Sequence, residues 1–456
     1  MKMFKALCVI GSVVACIYGS SVSAKVSPEE AARLGGGLTP VGAEKAGNIA
    51  GTIPEWNGGL TTPPEGFTKG AYNIDPFAKD PVLFTITKDN MQEYSANLTE
   101  GQKALLNLYA SYKIPVYQSR RTAALPKEIY AAAKRNAVNV ELLDQGNGVS
   151  EYELAVPFPI PKSAKEVIWN HLVRYRGGKG ARVVGQVTPT KSGEFTVIMF
   201  KEEVVWRTSL TDFKTLKPSS KNTQFYYKQS IISPARLAGS VLLVHETLNQ
   251  VKGPRKAWLY NSAQRRVRRA PQVSYDSPAE ASDSLKVSDN FDMYNGAPDR
   301  YDWKLIGKQE LYIPYNAYKI DSRDIKYKDI VKPGHINMDF TRYELHRVWK
   351  VEATLREDSR HIYAKRVFYI DEDSWQIAEA DHYDGRGELW RVSEAHLAQF
   401  YDVDTPWNTM EVTHDLLAGR YHAFGLDNEQ PKAYDFSIKR SSKDFTPSAL
   451  RRSGNR

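Results

Sequence analysis

The sequence predicts an α+β protein in which a largely antiparallel β-sheet follows an N-terminal helical and irregular extension. Three observations lead to this fold class. The 456 residues include 26 Tyr and 9 Trp, together with many short β-branched runs, and such residues are enriched in strands. After about residue 178 the hydrophobic period changes from helical to two. Strands and helices do not alternate along the chain, which argues against a parallel nucleotide-binding sheet.

The composition excludes several classes of protein. Charged residues make up 25% of the chain and apolar residues 41%, which is ordinary for a globular protein and excludes wholesale disorder. Only the N-terminus contains an apolar stretch that could enter a membrane, so a polytopic membrane protein is excluded. For an exported protein, the formal net charge of +9 favours anionic lipid or glycan surfaces over nucleic acid.

The N-terminus has the layout of a secretory signal peptide. A short basic segment, Met1–Lys5, precedes the apolar run Ala6–Gly19, and small residues follow as far as Ala24. This layout predicts cleavage after Ala24, so that the mature chain begins at Lys25 in the periplasm.

A lipid anchor is the alternative to this soluble exported form. Val13–Cys16 resembles a lipobox, which would place a lipid on Cys16. The apolar run continues beyond Cys16 and a conventional cleavage site follows, so the soluble form is favoured. Cys8 and Cys16 are the only cysteines. The mature chain would then contain none, which excludes disulfides and thiolate chemistry.

The chain is expected to have four parts. They are a signal peptide (1–24), a helical and Gly/Pro-rich wrapping segment (25–165), an antiparallel core (166–427) and a polar, basic, irregular tail (428–456). Helices in the wrapping segment and at its end are predicted by capping boxes that begin at Ser27, Thr99 and Ser163. A further helix is predicted over Pro126–Val140.

The strands of the core are predicted from alternation and from the turn residues between them. The expected strands are Ala181–Val187, Phe195–Arg207, Gln224–Ile232, Val241–Leu248, Lys256–Tyr260, Arg266–Arg269, Trp303–Ile306, Gln309–Tyr315, Tyr343–Arg356, Ile362–Ile370, Gln376–Tyr383 and Glu388–Val392. The clearest alternation is that of Tyr343–Arg356, which predicts one buried face and one solvated face. Asp384–Gly387 predicts a hairpin turn.

The chain lacks the common catalytic motifs. It contains no Gly-x-Ser-x-Gly elbow, no His-Glu-x-x-His pair and no Walker-type loop. None of the nine His pairs with another at metal-ligand spacing. Acidic pairs such as Asp381 with Asp384 are interpreted as solvated turn residues. We therefore predict no catalytic residue, no metal and no cofactor.

Two sets of side chains remain candidates for binding. The basic run Lys252–Arg269 favours phosphate or carboxylate groups in an exported protein, although a solvated strand face is an open alternative. Its candidates for contact with an anionic head group are Arg265, Arg266, Arg268 and Arg269. The second set consists of aromatic strand residues, which either fill a core or line a cavity for an apolar ligand. These are Trp206, Trp258, Tyr260, Trp303, Trp349, Phe368 and Trp375.

Several segments resemble a known family over essentially the whole mature chain. They are Ala32–Leu34, Leu38–Asn48, Gly51–Trp56, Lys308–Asn316, Arg366–Asp371 and Phe445–Arg452. They look like the Gram-negative envelope family called domain of unknown function 1329, which is related in fold to the outer-membrane lipoprotein carriers LolA and LolB. The resemblance implies a strongly curved antiparallel half-barrel that wraps a hydrophobic cavity closed by helices. The family has no agreed functional residues, so none is carried over.

The function expected from these observations is that of a periplasmic, non-enzymatic carrier or accessory protein that binds a hydrophobic or lipid-like molecule. Members of the family are often encoded near RND-type exporters, which implies envelope transport with such a transporter or an outer-membrane protein as partner. A structural outer-membrane or transporter partner without a cavity is one alternative, and it would have an aromatic face filled by its own neighbours. An envelope hydrolase is the other alternative, and it would show a tight cluster of His and carboxylates.

Overall fold

The computed structural model describes residues 25–270, 275–432 and 434–454. The expected signal peptide, with both cysteines, lies outside the described residues, so export and lipidation remain predictions. Within the described part of the chain, no helix combines the length and the apolar composition needed to cross a bilayer.

The described residues form one large sheet and one two-stranded ribbon. The strands are β1 (Phe84–Ile86), β2 (Ile114–Val116), β3 (Leu142–Leu143), β4 (Gly148–Val149), β5 (Lys179–Val187), β6 (Ile198–Trp206), β7 (Thr223–Ser233), β8 (Val241–Thr247), β9 (Lys256–Asn261), β10 (Arg266–Arg269), β11 (Tyr301–Pro314), β12 (Tyr343–Leu355), β13 (Lys365–Asp371), β14 (Ile377–Tyr383), β15 (Leu389–Phe400), β16 (Thr405–Asp415) and β17 (Arg420–Leu426).

The large sheet runs in the order β1-β2-β12-β13-β14-β15-β16-β17-β5-β6-β7-β8-β9-β10, and β11 also pairs with β12. Strands β12 and β2 meet in parallel at the pair Tyr343 and Val116, while the other pairings in the large sheet are antiparallel. The sheet is curved and open. The predicted α+β class with a curved antiparallel sheet is therefore confirmed.

The helices are few and short. The α-helices of the described residues are α1 (Pro28–Ala31), α2 (Glu100–Leu108), α3 (Lys127–Asn139), α4 (Ala164–Leu172), α5 (Tyr327–Ile330) and α6 (Pro447–Gly454). Single 3₁₀ turns occupy Met91–Asn97, Asp144–Gly146, Arg207–Ser209, Phe213–Thr215, Pro218–Ser220, Ser288–Asn290, Pro298–Arg300, Met338–Phe340 and Ser442–Phe445. The capping boxes of Ser27, Thr99 and Ser163 are present at α1, α2 and α4, because each hydroxyl accepts a helix N–H that would otherwise lack a partner.

Most expected strands are present within a few residues of their predicted bounds, and the hairpin between β14 and β15 is confirmed. There the carboxylate of Asp384 accepts the backbone N–H groups of Arg386 and Glu388 at 2.8 and 3.0 Å. Two expected strands form the single strand β11, which has a register shift between Leu305 and Gly307. The sequence analysis missed β16, β17 and most of β15.

The prediction of one solvated face on β12 is wrong for the first half of the strand. Glu344 and His346, which were expected to face solvent, are 0% and 1% exposed. Their face is covered by the N-terminal wrapping segment and by the end of β11. The backbone N–H of Arg120 donates to Glu344, and the ring of Tyr315 stacks on His346. Both faces of the sheet are therefore buried along the first half of β12, while in the second half Val351 and Ala353 are buried and Thr354 is exposed, as predicted.

The prediction of an irregular C-terminal tail is also wrong, because part of the tail is helical. Helix α6 and the turn before it pack on the sheet through Phe445 and Leu450, which contact Leu243 and Tyr260. We call this side of the sheet, which also carries α2, the back face. The opposite side, covered by α4 and by residues 275–297, is called the front face.

Candidate ligand cavity

The front face over β5–β9 and β17 presents a row of apolar side chains that none of the helices in the described residues covers. Tyr227 lies opposite Val244, and Leu242 lies opposite Leu259. Directly opposed residues of an antiparallel pair point to the same side of the sheet, so these four side chains share one surface. Phe424 of β17 extends the surface across the neighbouring strand β5.

Residues 275–297, which we call the cover segment, lie over this surface. Phe291 of the cover segment lies over Tyr227, with ring centroids 5.2 Å apart. Pro278 and Val287 line the same space. The cavity between the cover segment and the sheet is partly open to solvent and has a volume of about 280 Å³, which is near the lower end of the roughly 300–1,000 Å³ typical of small-molecule sites. A folded segment and a strand surface thus leave an apolar space between them.

The charged groups of the cavity wall are mostly paired with one another. Glu246 accepts from Arg255 Nε at 2.7 Å and from Asn295 Nδ2 at 2.8 Å, and Lys286 pairs with Glu411 at 2.8 Å. Because these charges are neutralised within the wall, they leave the interior suited to an apolar occupant. Glu280 of the cover segment differs, since burial alone raises the pKa of its carboxyl.

Buried ion pairs attach the cover segment to the rest of the fold. Asp292 pairs with Arg174 at 2.5 Å and also with Arg176. Asp289 pairs with Arg366 of β13 at 2.8 Å. Burial disfavours ionisation of Asp289, but the charges of Arg366 and His361 outweigh it and hold the pKa of this carboxyl far below its usual range. The cover segment is therefore anchored at two acidic residues.

Four of the seven candidate aromatic residues lie under α4, in one cluster on the front face of β11–β13 and at the turn after β13. Trp303 and Phe368 stack with centroids 5.9 Å apart, and Trp349 and Trp375 stack at 6.4 Å. Trp375 is 1% exposed and donates its Nε1–H to the carbonyl of Val41 at 3.1 Å. In this region the aromatic face is filled by its own neighbours.

Trp206 lies beside the cavity but does not line it. Its ring is 5.4 Å from that of Phe225, which does line the cavity, and the guanidinium of Arg176 lies 4.7 Å from its ring centre. The Trp206 side chain therefore supports the wall from outside.

Trp258 and Tyr260 lie on the back face. Leu259, between them, points into the cavity, so the alternation of β9 directs its two neighbours toward α6. Trp258 and Tyr260 contact the cluster that contains Phe445 and Leu450. The seven candidate aromatics thus fall into three groups, and none of them lines the cavity of about 280 Å³. Their contact with a ligand stays a prediction.

The four candidate arginines occupy the edge strand β10 and the turn before it. Arg268 lies opposite Leu259 and Arg266 opposite Asn261, which places both on the front-face side next to the cavity. Arg269 lies opposite Trp258, on the back-face side, and Arg265 occupies the turn with φ 49°. Within the described residues none of these arginines forms an ion pair. They remain candidates for binding an anion.

The residues that do line the cavity were missed by the sequence analysis. The main apolar ones are Phe225, Tyr227, Leu242, Val244, Leu259, Phe291 and Phe424. Alternate apolar positions in β7 and β8 were a usable signal, since 225, 227 and 242, 244 share one face. The cover segment had no periodic signal at all.

A second, larger cavity of about 570 Å³ lies on the back face beside α6, and its wall combines charged side chains with apolar ones such as Ile231 and Val241. Lys228 and Arg440 both pair with Glu203, at 3.1 and 2.9 Å. Their charges outweigh burial and lower the pKa of Glu203 to about 2. This wall is therefore less apolar than that of the front-face cavity.

The interpretation of Asp381 as a solvated turn residue is wrong. The side chain is fully buried between β14 and α2. Burial raises its pKa to about 7, although the hydrogen bond of 3.1 Å that it accepts from the hydroxyl of Tyr369 lowers the pKa. Its location on the packed side of the sheet, away from both cavities, gives it no contact with a ligand there.

Comparison with known proteins supports the family resemblance. The sequence model of the family described as "Protein of unknown function (DUF1329)" matches residues 85–451. The uncharacterized protein PA3922 of Pseudomonas aeruginosa is 56% identical over 457 residues, which covers 100% of both chains.

Two solved structures are similar at low sequence identity. A domain described as an outer-membrane lipoprotein-sorting protein, from Vibrio parahaemolyticus, has a TM-score of 0.43 at 13% identity and covers 64% of this chain and 98% of its own. A DUF1329 protein from Desulfovibrio piger has a TM-score of 0.39 at 15% identity, with 60% and 91% covered. On the match of the family model and the identity to the Pseudomonas protein, the chain belongs to the DUF1329 family.

Proposed function

We propose that this protein is a non-enzymatic carrier or accessory protein of the cell envelope that binds a hydrophobic or lipid-like molecule in the front-face cavity. The observation that carries the proposal is the partly open cavity of about 280 Å³ with a mainly apolar wall. Transfer of apolar ligand surface from water into such a space contributes roughly 25 cal/mol per Å². Because the charged groups around the wall are paired with one another, they bind water less strongly, and water competes less with an apolar ligand for the cavity.

The size of the cavity restricts the ligand. A volume of about 280 Å³ suits one acyl chain or a small ring system and is too small for several chains at once. A larger ligand requires displacement of the cover segment, whose apolar contact with the sheet centres on Phe291.

The exposed arginines of β10 suit the polar end of such a ligand. Arg266 and Arg268 lie on the cavity side of the edge strand, and guanidinium groups bind carboxylates and phosphates through paired hydrogen bonds. The ligand class we propose is therefore an anionic amphiphile, with its apolar part in the cavity and its head group near β10.

The signal-peptide layout of residues 1–24 supports action in the periplasm, in association with the outer membrane or with an envelope exporter such as an RND-type transporter. Nucleic acid is not a partner in this proposal. Intact-mass measurement of the exported protein tests the location and the N-terminus. We expect a mature chain that begins at Lys25, and a diacyl or triacyl adduct on Cys16 would contradict it.

The two alternative functions receive less support. A structural partner without a cavity accounts for the filled aromatic cluster under α4 but not for the space beside it. A hydrolase needs a His and carboxylate cluster that a substrate can reach. The cluster of His346, Asp371 and Asp373 is buried, and neither large cavity reaches it.

The proposal is tested by gentle purification from the native envelope, followed by mass spectrometry of the molecules that accompany the protein. Delipidated protein is then titrated with fluorescent fatty-acid and sterol probes. We expect one probe to bind per chain, with the fatty acid preferred. If no apolar molecule accompanies the protein and neither probe binds, the carrier function is wrong.

A further inference from the structure

A compact group of metal-ligating side chains lies on the back face, away from both cavities. One ligand atom each from His346, Asp371 and Asp373 lies within 4.8 Å of the others, and all three residues are buried. His346 belongs to β12, while Asp371 ends β13 and Asp373 lies in the turn that leads to β14. The pairing of β12 with β13 brings together residues that are far apart in sequence.

Asp371 has no cationic partner within the described residues. Its Oδ2 accepts from the backbone N–H of Ser374 at 3.0 Å and from the Ser374 hydroxyl at 2.5 Å. Its Oδ1 has no hydrogen-bond partner in the described part of the chain, although the side chain is only 1% exposed. The neighbouring acids are different, since Arg121 pairs with Asp373 and with Glu372. A buried carboxylate oxygen without a donor requires a proton, a water or a cation.

Tyr315 provides a second unpartnered polar group at the same place. Its ring stacks on that of His346 with centroids 3.9 Å apart, and the side chain is 1% exposed. Its hydroxyl has no hydrogen-bond partner within the described residues. The stacking contact places this residue directly against the imidazole of the group.

Glu344 orients the imidazole as in metal sites. His346 Nε2 lies 3.1 Å from Glu344 Oε2, and Glu344 is itself held by Arg342 at 2.6 Å and Asn316 at 2.9 Å. A carboxylate at Nε2 favours the tautomer with the proton on that nitrogen, which leaves the lone pair on Nδ1. Metal-binding histidines have this partner on the ring nitrogen that does not bind the metal.

The ion pair of Asp373 leaves it able to bind a cation. Both of its oxygens accept from Arg121, at 2.8 and 2.7 Å. An ionised carboxylate has about four lone-pair positions, so each oxygen retains one. Arg121 thus fixes the orientation of Asp373 without using all of its acceptor capacity.

We propose that His346, Asp371 and Asp373 bind a divalent transition-metal ion of the Zn²⁺ type, with Tyr315 stacked on the imidazole of His346. One imidazole nitrogen and two carboxylate oxygens form a donor set that suits such ions. The ion holds the turn after β13 against β12 and the wrapping segment, and it therefore has a structural role. The site is independent of the cavity and of its ligand.

The test uses the full mature chain, unfolded in guanidinium chloride with EDTA and refolded with or without Zn²⁺. Because the ligands are buried, metal is supplied during refolding. We expect one tightly held zinc ion per chain by elemental analysis and a higher melting temperature, since an ion that binds only the folded state stabilises it. Refolding with Co²⁺ is expected to give visible absorption bands typical of nitrogen and oxygen ligands.

Two variants and a matched control distinguish this site from general metal binding. Asp371→Asn keeps an acceptor for Ser374 and is expected to lose the ion. Asp381→Asn removes another fully buried carboxyl from the same sheet and is expected to keep it. Tyr315→Phe removes only the hydroxyl and is expected to bind more weakly, which covers the case in which Asp371→Asn does not fold. If the wild type retains no stoichiometric zinc, or if the Asp371 and Tyr315 variants bind as it does, the site holds a water or a proton and the proposal is wrong.

Discussion

The front face of the sheet is covered in two different ways along its length. Over β11–β13 the cover is α4, whose Val167, Ile168 and Leu172 pack on the cluster that contains Phe368 and Trp375. Over β5–β9 the cover is the cover segment, which has no regular structure apart from one 3₁₀ turn. A helix presents side chains at close, regular spacing on one face, whereas an irregular segment presents only a few.

The difference in cover explains why one region is filled and the other is hollow. Both regions have aromatic and aliphatic side chains on the sheet, so apolar content alone does not separate them. The cover segment is attached mainly through the buried ion pairs of Asp289 and Asp292. Such pairs fix position without filling volume, and their net contribution to stability is small because of desolvation. A cavity of about 280 Å³ remains beneath it.

The largest expected effect lies in the filled region, where Trp375→Ala should lower the free energy of unfolding by about 3–5 kcal/mol. Trp375 is 1% exposed, and its loss leaves a void under α4 as well as an unpaired carbonyl at Val41. Urea unfolding measures the effect. Trp206→Ala is the matched control, since Trp206 is only partly buried and should lose less. If both variants lost the same free energy of unfolding, the region under α4 would not be more tightly packed than the region beside the cavity.

Leu242 and Leu243 are adjacent in β8 and point to opposite faces of the sheet, so substitutions at these two positions compare a tightly packed surface with the surface of the cavity. Leu243 faces α6 and is fully buried, whereas Leu242 lines the cavity. Overpacking by Leu243→Phe should cost about 1–3 kcal/mol and leave probe binding unchanged. Leu242→Phe should cost less, because the added ring enters free space, and should weaken binding of a fatty-acid probe about tenfold, or ~1.4 kcal/mol.

Unfolding and probe titration of both variants check this prediction. The hollow region is not a binding site if Leu242→Phe binds the probe as well as the wild type. It is not hollow in solution if the two variants lose the same stability.

The stability of the protein should also depend on pH through Asp381, which is buried on the back face of β14. Burial raises the pKa of this carboxyl to about 7, above its value in the unfolded chain of about 3.9. Its contribution to stability is therefore fully present below about pH 4 and is lost as the pH rises through about 7. The melting temperature of Asp381→Asn should fall less between pH 5 and pH 8 than that of the wild type.

Glu388→Gln serves as the control for this pH effect, because Glu388 is exposed and its substitution should leave the profile unchanged. An Asp381→Asn profile parallel to the wild type would mean that the carboxyl is ionised in the folded protein throughout this range.

The smallest expected effect concerns the edge of the hollow region. Arg268 lies on the cavity side of β10, and Arg269 lies on the opposite side. Arg268→Ala should weaken binding of a fatty-acid probe about two- to fivefold, as expected for an exposed ion pair, whereas Arg269→Ala should not. Titration with an uncharged alcohol of the same chain length should show no difference. An equal loss in both variants would show that the arginines attract the ligand only through their general charge.

Much of the local structure was predictable from the sequence. The capping residues Ser27, Thr99 and Ser163 predicted helix starts because a hydroxyl three residues before an N–H acts locally. Asp384–Gly387 predicted the hairpin between β14 and β15, because the hydrogen bonds of the Asp384 carboxylate in this turn are also local. The strands β16 and β17 were missed, since nearly all of their residues are buried on both faces and strict alternation is then lost.

The candidate site was less predictable. Six of the seven aromatic residues lie on strands as predicted, whereas Trp375 lies in the turn between β13 and β14. The cavity wall nevertheless consists of other residues. His346 and Asp371 offered no motif, because their proximity depends on the pairing of β12 with β13.

By itself the sequence determined the antiparallel class, the capped helices and most of the core strands, because caps, turns and alternation act between near neighbours in the chain. The family followed from the resemblance of several segments. The sequence also determined that Leu259 points opposite to Trp258 and Tyr260. Only the tertiary structure decided which of those two sides carries α6 and which carries the cavity. Alternation specifies that two faces differ, but what covers each face depends on segments that are distant in sequence, and their docking is set by packing and buried ion pairs over the whole fold.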